Sequence, residues 1–311
     1  MEKQELLNAL QRIGPHTHRT PVLTSKLLDE MSGVQLFFKC ENFQRGGSYK
    51  IRGATNAVLK LSPENRSKGV VTHSSGNFAQ ALTLAAKSCA VKAHIVMPEN
   101  APEVKVNAVK TYGGTIYRCE STLEAREQKT EAIIARTGAT FLHPSNDLNV
   151  IYGQGTAAME LLQDHPDLDH IFVPVGGGGL IAGSALAARY FSDGCKLIGG
   201  EPFEADDAYR SLISGNIESN ETTNTIADGL RTQLGDKNFP IIQKHVSQII
   251  RVTEEEIVQA MRFIWERMKI VVEPSSAVAF AALLREKKKF EGMKIGIVLS
   301  GGNVDLTNLP F

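Results

Sequence analysis

Short β-branched or apolar runs recur along the chain, each followed by a longer stretch whose apolar positions return at helical spacing. The runs are VQLFFKC (34–40), VVTH (70–73), AHIVM (93–97), TIYRC (115–119), IFVPV (171–175), KLIGG (196–200) and IGIVLS (295–300), and they predict strands. The helical stretches are Phe78–Cys89, Val104–Tyr112, Leu123–Thr137, Thr156–Gln163, Glu254–Met268 and Ser276–Lys287. Strand alternating with helix predicts an α/β fold with largely parallel sheets. The strands gather into 70–142 and 171–300, which predicts two α/β domains with ligand at the carboxyl ends of strands, in the cleft between them. SGNIESNETTNT (214–225) is polar and reads as a surface loop.

Composition narrows the class. With 42% hydrophobic and 22% charged residues, the 311-residue chain is of ordinary globular type. Lys plus Arg and Asp plus Glu both count 34, so no net field draws it to nucleic acid or an anionic membrane, and a small-molecule partner is expected. Cys40, Cys89, Cys119 and Cys195 form no CxxC pair, which argues against a zinc site or disulfide framework and for reduced thiols. The amphipathic start MEKQELLNALQRIG is unlike a signal peptide, and no run reaches the roughly 18 apolar residues of a membrane span. The expected location is the cytoplasm.

Four strand-end features carry chemistry. Gly176 to Gly179 follow IFVPV and open a small-residue helix, so their N–H groups and the helix dipole suit an anion, best read as a phosphate cup. Neither GxxxxGK[ST] nor a GxGxxG with its ribose acid is present, which argues against a conventional nucleotide site. Ser48-Tyr49-Lys50 follows a Gly-Gly turn. A sheltered Lys50 amine would have the lowered pKa that imine formation needs, although most lysines are solvated. His73-Ser74-Ser75-Gly76-Asn77 opens a helix with hydroxyls and free N–H groups, suiting a substrate carboxylate or a plain N-cap. Ser300-Gly301-Gly302-Asn303 ends IGIVLS and could approach a flat ring edge, or simply turn the chain.

Taken in order, SYKIRGA, SSGN, GGGG and LSGGN resemble the fold-type II pyridoxal-phosphate enzymes of tryptophan synthase β-like fold, the family of serine and threonine dehydratases and serine racemase. The likeness runs from Thr20 to Leu306 and is strongest to the eukaryotic-type racemases, through TPVLTS, FFKCENFQ, THSSGN, IYGQGT, EPFEADD, IADG, WERMK and EPSSA. With the strand grouping it divides the chain into a discontinuous large cofactor domain, 1–66 and 148–311, and a small mobile domain, 67–147.

The resemblance implies that Lys50 holds pyridoxal 5'-phosphate as a Schiff base, with the phosphate on Gly176, Gly177, Gly178 and Gly179. It also implies that Tyr49 flanks the ring, Asn77 meets its hydroxyl and Ser300 its nitrogen. A serine there cannot stabilise a protonated pyridinium, so positioned donors and fast proton return must steady the carbanion, as racemisation and β-elimination allow. Lys50 and Ser75 are the implied acid–base pair on opposite faces of Cα, and Ser74, Ser75 and Asn77 the substrate loop. Arg126 aligns with a substrate-side arginine and could answer a second carboxylate, or pair with Glu124 and Glu127 on its helix. Glu201, the Ala205 carbonyl and Asp207 are implied ligands of Mg²⁺ or Ca²⁺, and Lys105, Tyr112 and Asn303 of an activating ATP.

The expected activity is racemisation of serine with elimination to pyruvate and ammonia, in a homodimer. The alternatives are a dehydratase of L-serine, L-threonine or threo-3-hydroxyaspartate, an aspartate racemase, a cysteine-synthase-type enzyme, and a silent ligand-binding sensor. Two departures bear on substrate choice: Phe78 follows Asn77 where the family has histidine, and Gly46 stands where a threonine is usual.

Overall fold

The runs sort into two sheets in the computed structural model, which describes residues 2–101 and 103–311. In chain order the strands are β1 (Val22–Leu23), β2 (Gln35–Cys40), β3 (Val70–His73), β4 (Ala93–Pro98), β5 (Thr115–Cys119), β6 (Thr140–Phe141), β7 (His170–Pro174), β8 (Lys196–Pro202), β9 (Val246–Val252) and β10 (Lys294–Leu299). The larger sheet has the order β1-β2-β10-β7-β8-β9 and the smaller β5-β4-β3-β6. Every pairing is parallel except that of the short β1 with β2. Parallel strands need helical crossovers and are covered on both faces, which is why β2, β4, β8 and β10 are nearly continuous apolar runs.

The helices are α1 (Glu2–Ile13), α2 (Lys26–Ser32), α3 (Lys50–Lys60), α4 (Pro63–Lys68), α5 (Asn77–Ser88), α6 (Glu103–Tyr112), α7 (Leu123–Thr137), α8 (Leu148–Asp164), α9 (Gly179–Phe191), α10 (Asp207–Ser214), α11 (Phe239–His245), α12 (Glu254–Met268) and α13 (Pro274–Glu286). Neighbouring strand residues point to opposite faces of the larger sheet. Phe38 meets Phe280 of α13 edge-on, ring centroids 5.5 Å apart, in one core cluster. Phe37, Val173 and Val298 join Ile181 and Leu186 of α9 in the other.

The helix expected from Thr156 starts earlier, at Leu148, because the Asp147 carboxylate accepts from the N–H groups of Asn149 (2.7 Å) and Val150 (3.2 Å). Gly153 and Gly155 in the first half of this helix are close-packing positions. A Cβ on Gly153 would lie 2.6 Å from the Arg52 carbonyl of α3, and one on Gly155 2.5 Å from the Gly183 carbonyl of α9. Thus α3, α8 and α9 lie backbone against backbone. The edge strand β9 went unpredicted because Ser247, Gln248 and Arg251 interrupt its apolar pattern. Residues 215–225 form neither helix nor strand, as expected of a surface loop.

Strand ends set out the chemistry: β2 turns into α3, β3 into α5, β7 into α9, and β10 into Ser300. The four cysteines are free thiols. Among the described residues no helix is long and apolar enough to cross a membrane.

Candidate active site

Gly46 and Gly47, both left-handed (φ 70° and 72°), turn the chain from β2 toward α3. Gly47 admits no side chain, since its Cβ would stand 2.2 Å from Asn303 Oδ1. Ser48 then bridges to Gly301, and the Tyr49 N–H donates to the Ser300 carbonyl (3.0 Å), which delivers Lys50 to the first turn of α3 beside the end of β10. Lys50 Nζ donates to the Pro144 carbonyl (3.2 Å) and lies 5.0 Å from the centroid of the Tyr49 ring. Desolvation pushes its pKa down to about 8, with Glu273 opposing. An amine that sheds its proton near neutrality is ready for carbonyl chemistry. Burial holds the Tyr49 phenol protonated.

Asn77, first residue of α5, is fixed from both sides. Its Nδ2 donates to both Glu273 oxygens (2.8 and 3.1 Å), and its Oδ1 accepts from Asn303 Nδ2 (3.0 Å), which also donates to the Gly46 carbonyl (2.8 Å). This belt ties α5 of the smaller sheet to the larger one. Glu273 is buried, its pKa pushed up to about 7 by desolvation and then by Asp228. Glu273 opens the EPSSA motif, and its mark in the sequence is an acid immediately before Pro274 and the apolar helix PSSAVAFAALL.

The glycine cup is buried at the N-terminus of α9, with Gly178 left-handed (φ 78°). A Cβ would stand 2.4 Å from Ser145 Oγ at Gly177 and 2.4 Å from Gln154 Oε1 at Gly179. Asn238 Nδ2 fixes the loop by donating to the carbonyls of Gly177 (2.8 Å) and Ser145 (3.2 Å). Among the described residues no backbone carbonyl accepts from the N–H of Gly177, Gly178 or Gly179. Buried free donors at a helix start, with every Cβ removed from the wall, fit a phosphate.

The segment after β6 joins the cup to the amine: the Pro144 carbonyl accepts from both Lys50 Nζ and Gln154 Nε2 (3.2 Å each), and Ser145 lies against the glycines. His143 anchors this segment, its Nδ1 accepting from the N–H groups of Ser145 (3.2 Å) and Asn146 (2.8 Å). Burial, then the charges of His73 and Lys50, push its pKa down to about 4, so the ring is neutral. His143, Ser145, Gln154 and Asn238 were not singled out from the sequence.

At the end of β3 the Ser74 N–H still donates to Val96 (3.1 Å), and the Gly76 N–H points to Ser74 Oγ at 3.4 Å. Ser75 is half-buried between them, at the start of α5. Phe78 is 2% exposed and joins Ile51, Ala54 and Leu82 in the core under α3 and α5. Arg126 is half-buried, its Nε donating to the Thr122 carbonyl (3.2 Å). It makes no ion pair among the described residues, with Glu124 and Glu127 included, and its charge helps lower the His73 pKa after desolvation.

Glu201 ends β8 and Asp207 starts α10, both fully buried, with Ala205 between them also buried. Glu201 accepts from the N–H groups of Ala208 (3.0 Å) and Tyr209 (2.7 Å), and Asp207 Oδ2 from that of Leu234 (2.9 Å), while among the described residues Asp207 Oδ1 accepts no hydrogen bond, with the Asn220 side chain beside this acid. Desolvation raises both acids, Glu201 well above its ordinary range with Asp207 adding, and Asp207 to about 6. Two buried acids that desolvation holds toward the neutral form, one with an oxygen free to bind, fit a hard cation that would favour their ionised forms. No cluster of three or more His, Cys, Asp or Glu occurs among the described residues, so a cation here would lean on the Ala205 carbonyl. Lys105 is ion-paired with Asp228, Tyr112 ends α6, and Asn303 lies in the Asn77 belt; no hydrogen bond joins the three among the described residues.

The sequence profile described as pyridoxal-phosphate dependent enzyme matches residues 13–301. The chain is 49% identical to a serine racemase of Dictyostelium discoideum, over 98% of this chain and 96% of that protein. It is 50% identical to an L-threo-3-hydroxyaspartate ammonia-lyase of Saccharomyces cerevisiae, over 97% and 92% respectively. The structure of maize serine racemase superposes with a TM-score of 0.96 at 47% identity, covering 98% of this chain and 94% of that one. Matched over nearly its whole length, the chain belongs to the pyridoxal-phosphate dependent enzymes.

Proposed function

We propose that this chain racemises serine and eliminates its β-hydroxyl to give pyruvate and ammonia. The observation that carries the reading is the joining of a lowered-pKa amine, Lys50, to a glycine cup with free donors through the Pro144-Ser145 segment, whose Pro144 carbonyl accepts from Lys50 and whose Ser145 lies against the glycines. Bound pyridoxal phosphate supplies the electron sink that makes the substrate Cα–H acidic. Lys50 Nζ moves the proton on one face of Cα and the Ser75 hydroxyl on the other. Ser74, Ser75 and the α5 N-terminus orient the substrate carboxylate. Asn77, clamped by Glu273 and Asn303, and the neutral Ser300 hydroxyl orient the ring. Glu201, the Ala205 carbonyl and Asp207 hold Mg²⁺ or Ca²⁺, for which the orphaned Asp207 oxygen speaks. ATP activation through Lys105, Tyr112 and Asn303 would have to open the Lys105–Asp228 pair. The working unit is a cytoplasmic homodimer, with 67–147 the smaller domain.

One observation favours a second reading. Among the described residues Arg126 has no carboxylate partner, and it stands by the end of β3, so a substrate with a second carboxylate, threo-3-hydroxyaspartate or aspartate, would complete it. The relatives include both a racemase and a hydroxyaspartate ammonia-lyase.

The test incubates cofactor-loaded protein with L-serine, L-threonine, L-aspartate and L-threo-3-hydroxyaspartate in turn, with Mg²⁺, following D-isomer and keto acid together. D-serine with pyruvate supports the first reading; keto acid from hydroxyaspartate alone supports the second. Ser75→Ala is expected to cut racemisation about 100-fold or more while sparing elimination of L-serine. Equal loss of both would end the two-face assignment.

A further inference from the structure

Two residues beyond Lys50, the Arg52 side chain is wholly buried and all its donors are used. Nε and Nη2 donate to Glu41 Oε2 (2.7 Å) and Oε1 (2.9 Å), while Nη1 and Nη2 donate to Glu160 Oε1 (2.9 Å) and Oε2 (2.8 Å). Nη1 also reaches Thr156 Oγ1 (3.1 Å), and Nη2 the His18 carbonyl (3.3 Å). Lys39, equally buried, closes the set by donating to Glu160 Oε2 (2.7 Å) and the Thr20 carbonyl (2.8 Å). Two cations and two carboxylates balance.

Such a network is a poor device for stability, because desolvating four charges largely cancels their attraction and packed apolar residues would serve as well. What it supplies is geometry. A planar guanidinium forked onto two carboxylates tolerates little rotation or slide. Glu41 follows β2, Glu160 lies on α8, and His18 and Thr20 belong to the N-terminal segment, so the fork fixes α3 against three elements at once. The chain leading into α3, by contrast, is the glycine pair Gly46-Gly47. At about 100° per residue, Arg52 and Lys50 leave the helix on nearly opposite sides. Gripping one therefore sets where the other points.

We infer that Arg52 is a positioning residue whose two carboxylate forks set the rotation of α3 and so hold Lys50 Nζ where it can meet the cofactor. The inference rests on Lys50 being the cofactor-bearing amine. Its test uses R52K, which keeps the charge and loses the forks, and R52M/E41M, which removes one charge of each sign and leaves the Lys39–Glu160 pair neutral. Cofactor-loaded protein is reduced with borohydride and the fraction of Lys50 carrying the adduct is measured by peptide mass, beside the thermal midpoint, kcat and KM with L-serine and L-threo-3-hydroxyaspartate.

The expected result for R52M/E41M is a midpoint within about 5 °C of the parent, trapping on Lys50 reduced about tenfold, and kcat lower by about 100-fold with KM little changed. R52K should fall between. A lowered midpoint with parental trapping and kcat in the folded protein would make the network merely structural and overturn the inference. If the double variant does not fold, R52K decides on the same readouts: parental trapping and kcat would overturn it. Lys50→Ala separates the premise, since an adduct or turnover surviving that change would remove Lys50 from its role whatever Arg52 does.

Discussion

Two pairs of buried carboxylates stand in this molecule under opposite conditions. Glu41 and Glu160 are met by Arg52 and Lys39, so charge and hydrogen bonding both close. Glu201 and Asp207 have no cation against them: backbone N–H groups and the Asn220 side chain meet them, they repel each other, and among the described residues Asp207 Oδ1 accepts no hydrogen bond. The difference teaches how to read a buried acid: a pair closed by cations is satisfied within the fold, whereas an open pair keeps the cost of its burial and is where the proposed Mg²⁺ or Ca²⁺ would act.

The contrast breaks most sharply at Glu160. Glu160→Ala strands Arg52 and Lys39 with one carboxylate between them, and urea unfolding should show a loss of about 3–5 kcal/mol. The open pair should respond to pH instead. Asp207 titrates near 6 when folded against an ordinary 3.8, so the folded state holds the proton more tightly. Cation-free protein is therefore expected to lose up to about 3 kcal/mol as pH rises from 4 to above 6, and saturating Mg²⁺ or Ca²⁺ should abolish that loss. A flat profile without cation would remove Asp207 from the pair. Asp207→Asn should remove Asp207's share of the slope and leave that of Glu201, raise cation-free stability at pH 7 by about 1 kcal/mol, and erase the cation's effect on the melting midpoint. The smallest change is Thr156→Val, which takes one acceptor from a guanidinium that keeps others and should cost about 1 kcal/mol with trapping on Lys50 unaltered.

Much of this architecture is legible in the chain, because parallel strands buried on both faces are long apolar runs and α12 buries Ile257, Ala260, Met261 and Ile264 at helical spacing. The glycine cup and the SSGN loop stand out as candidates because each sits at the end of such a run, and Lys50 because a Gly-Gly turn leads into it. Their supports do not. His143, Gln154 and Asn238 act through contacts between distant segments, and nothing local marks them; Glu273 is marked only by its place just before Pro274 and an apolar helix. Lys39 was the overlooked signal: a lysine inside VQLFFKC, a strand covered on both faces, requires a buried carboxylate elsewhere. That requirement points to Glu160 and, through it, to Arg52.

The glycine contacts between helices bear on the reach of the site. Lys50 rides on α3 and the anion cup on α9, with α8 between them, and on both sides of α8 the spacing is set by main chain touching main chain at Gly153 and Gly155. The distance from amine to cup is thus gauged by atoms that no rotamer can adjust. An added methyl at either glycine would lengthen that gauge, and the protein would let its cofactor slip on dialysis although every residue touching it remained intact.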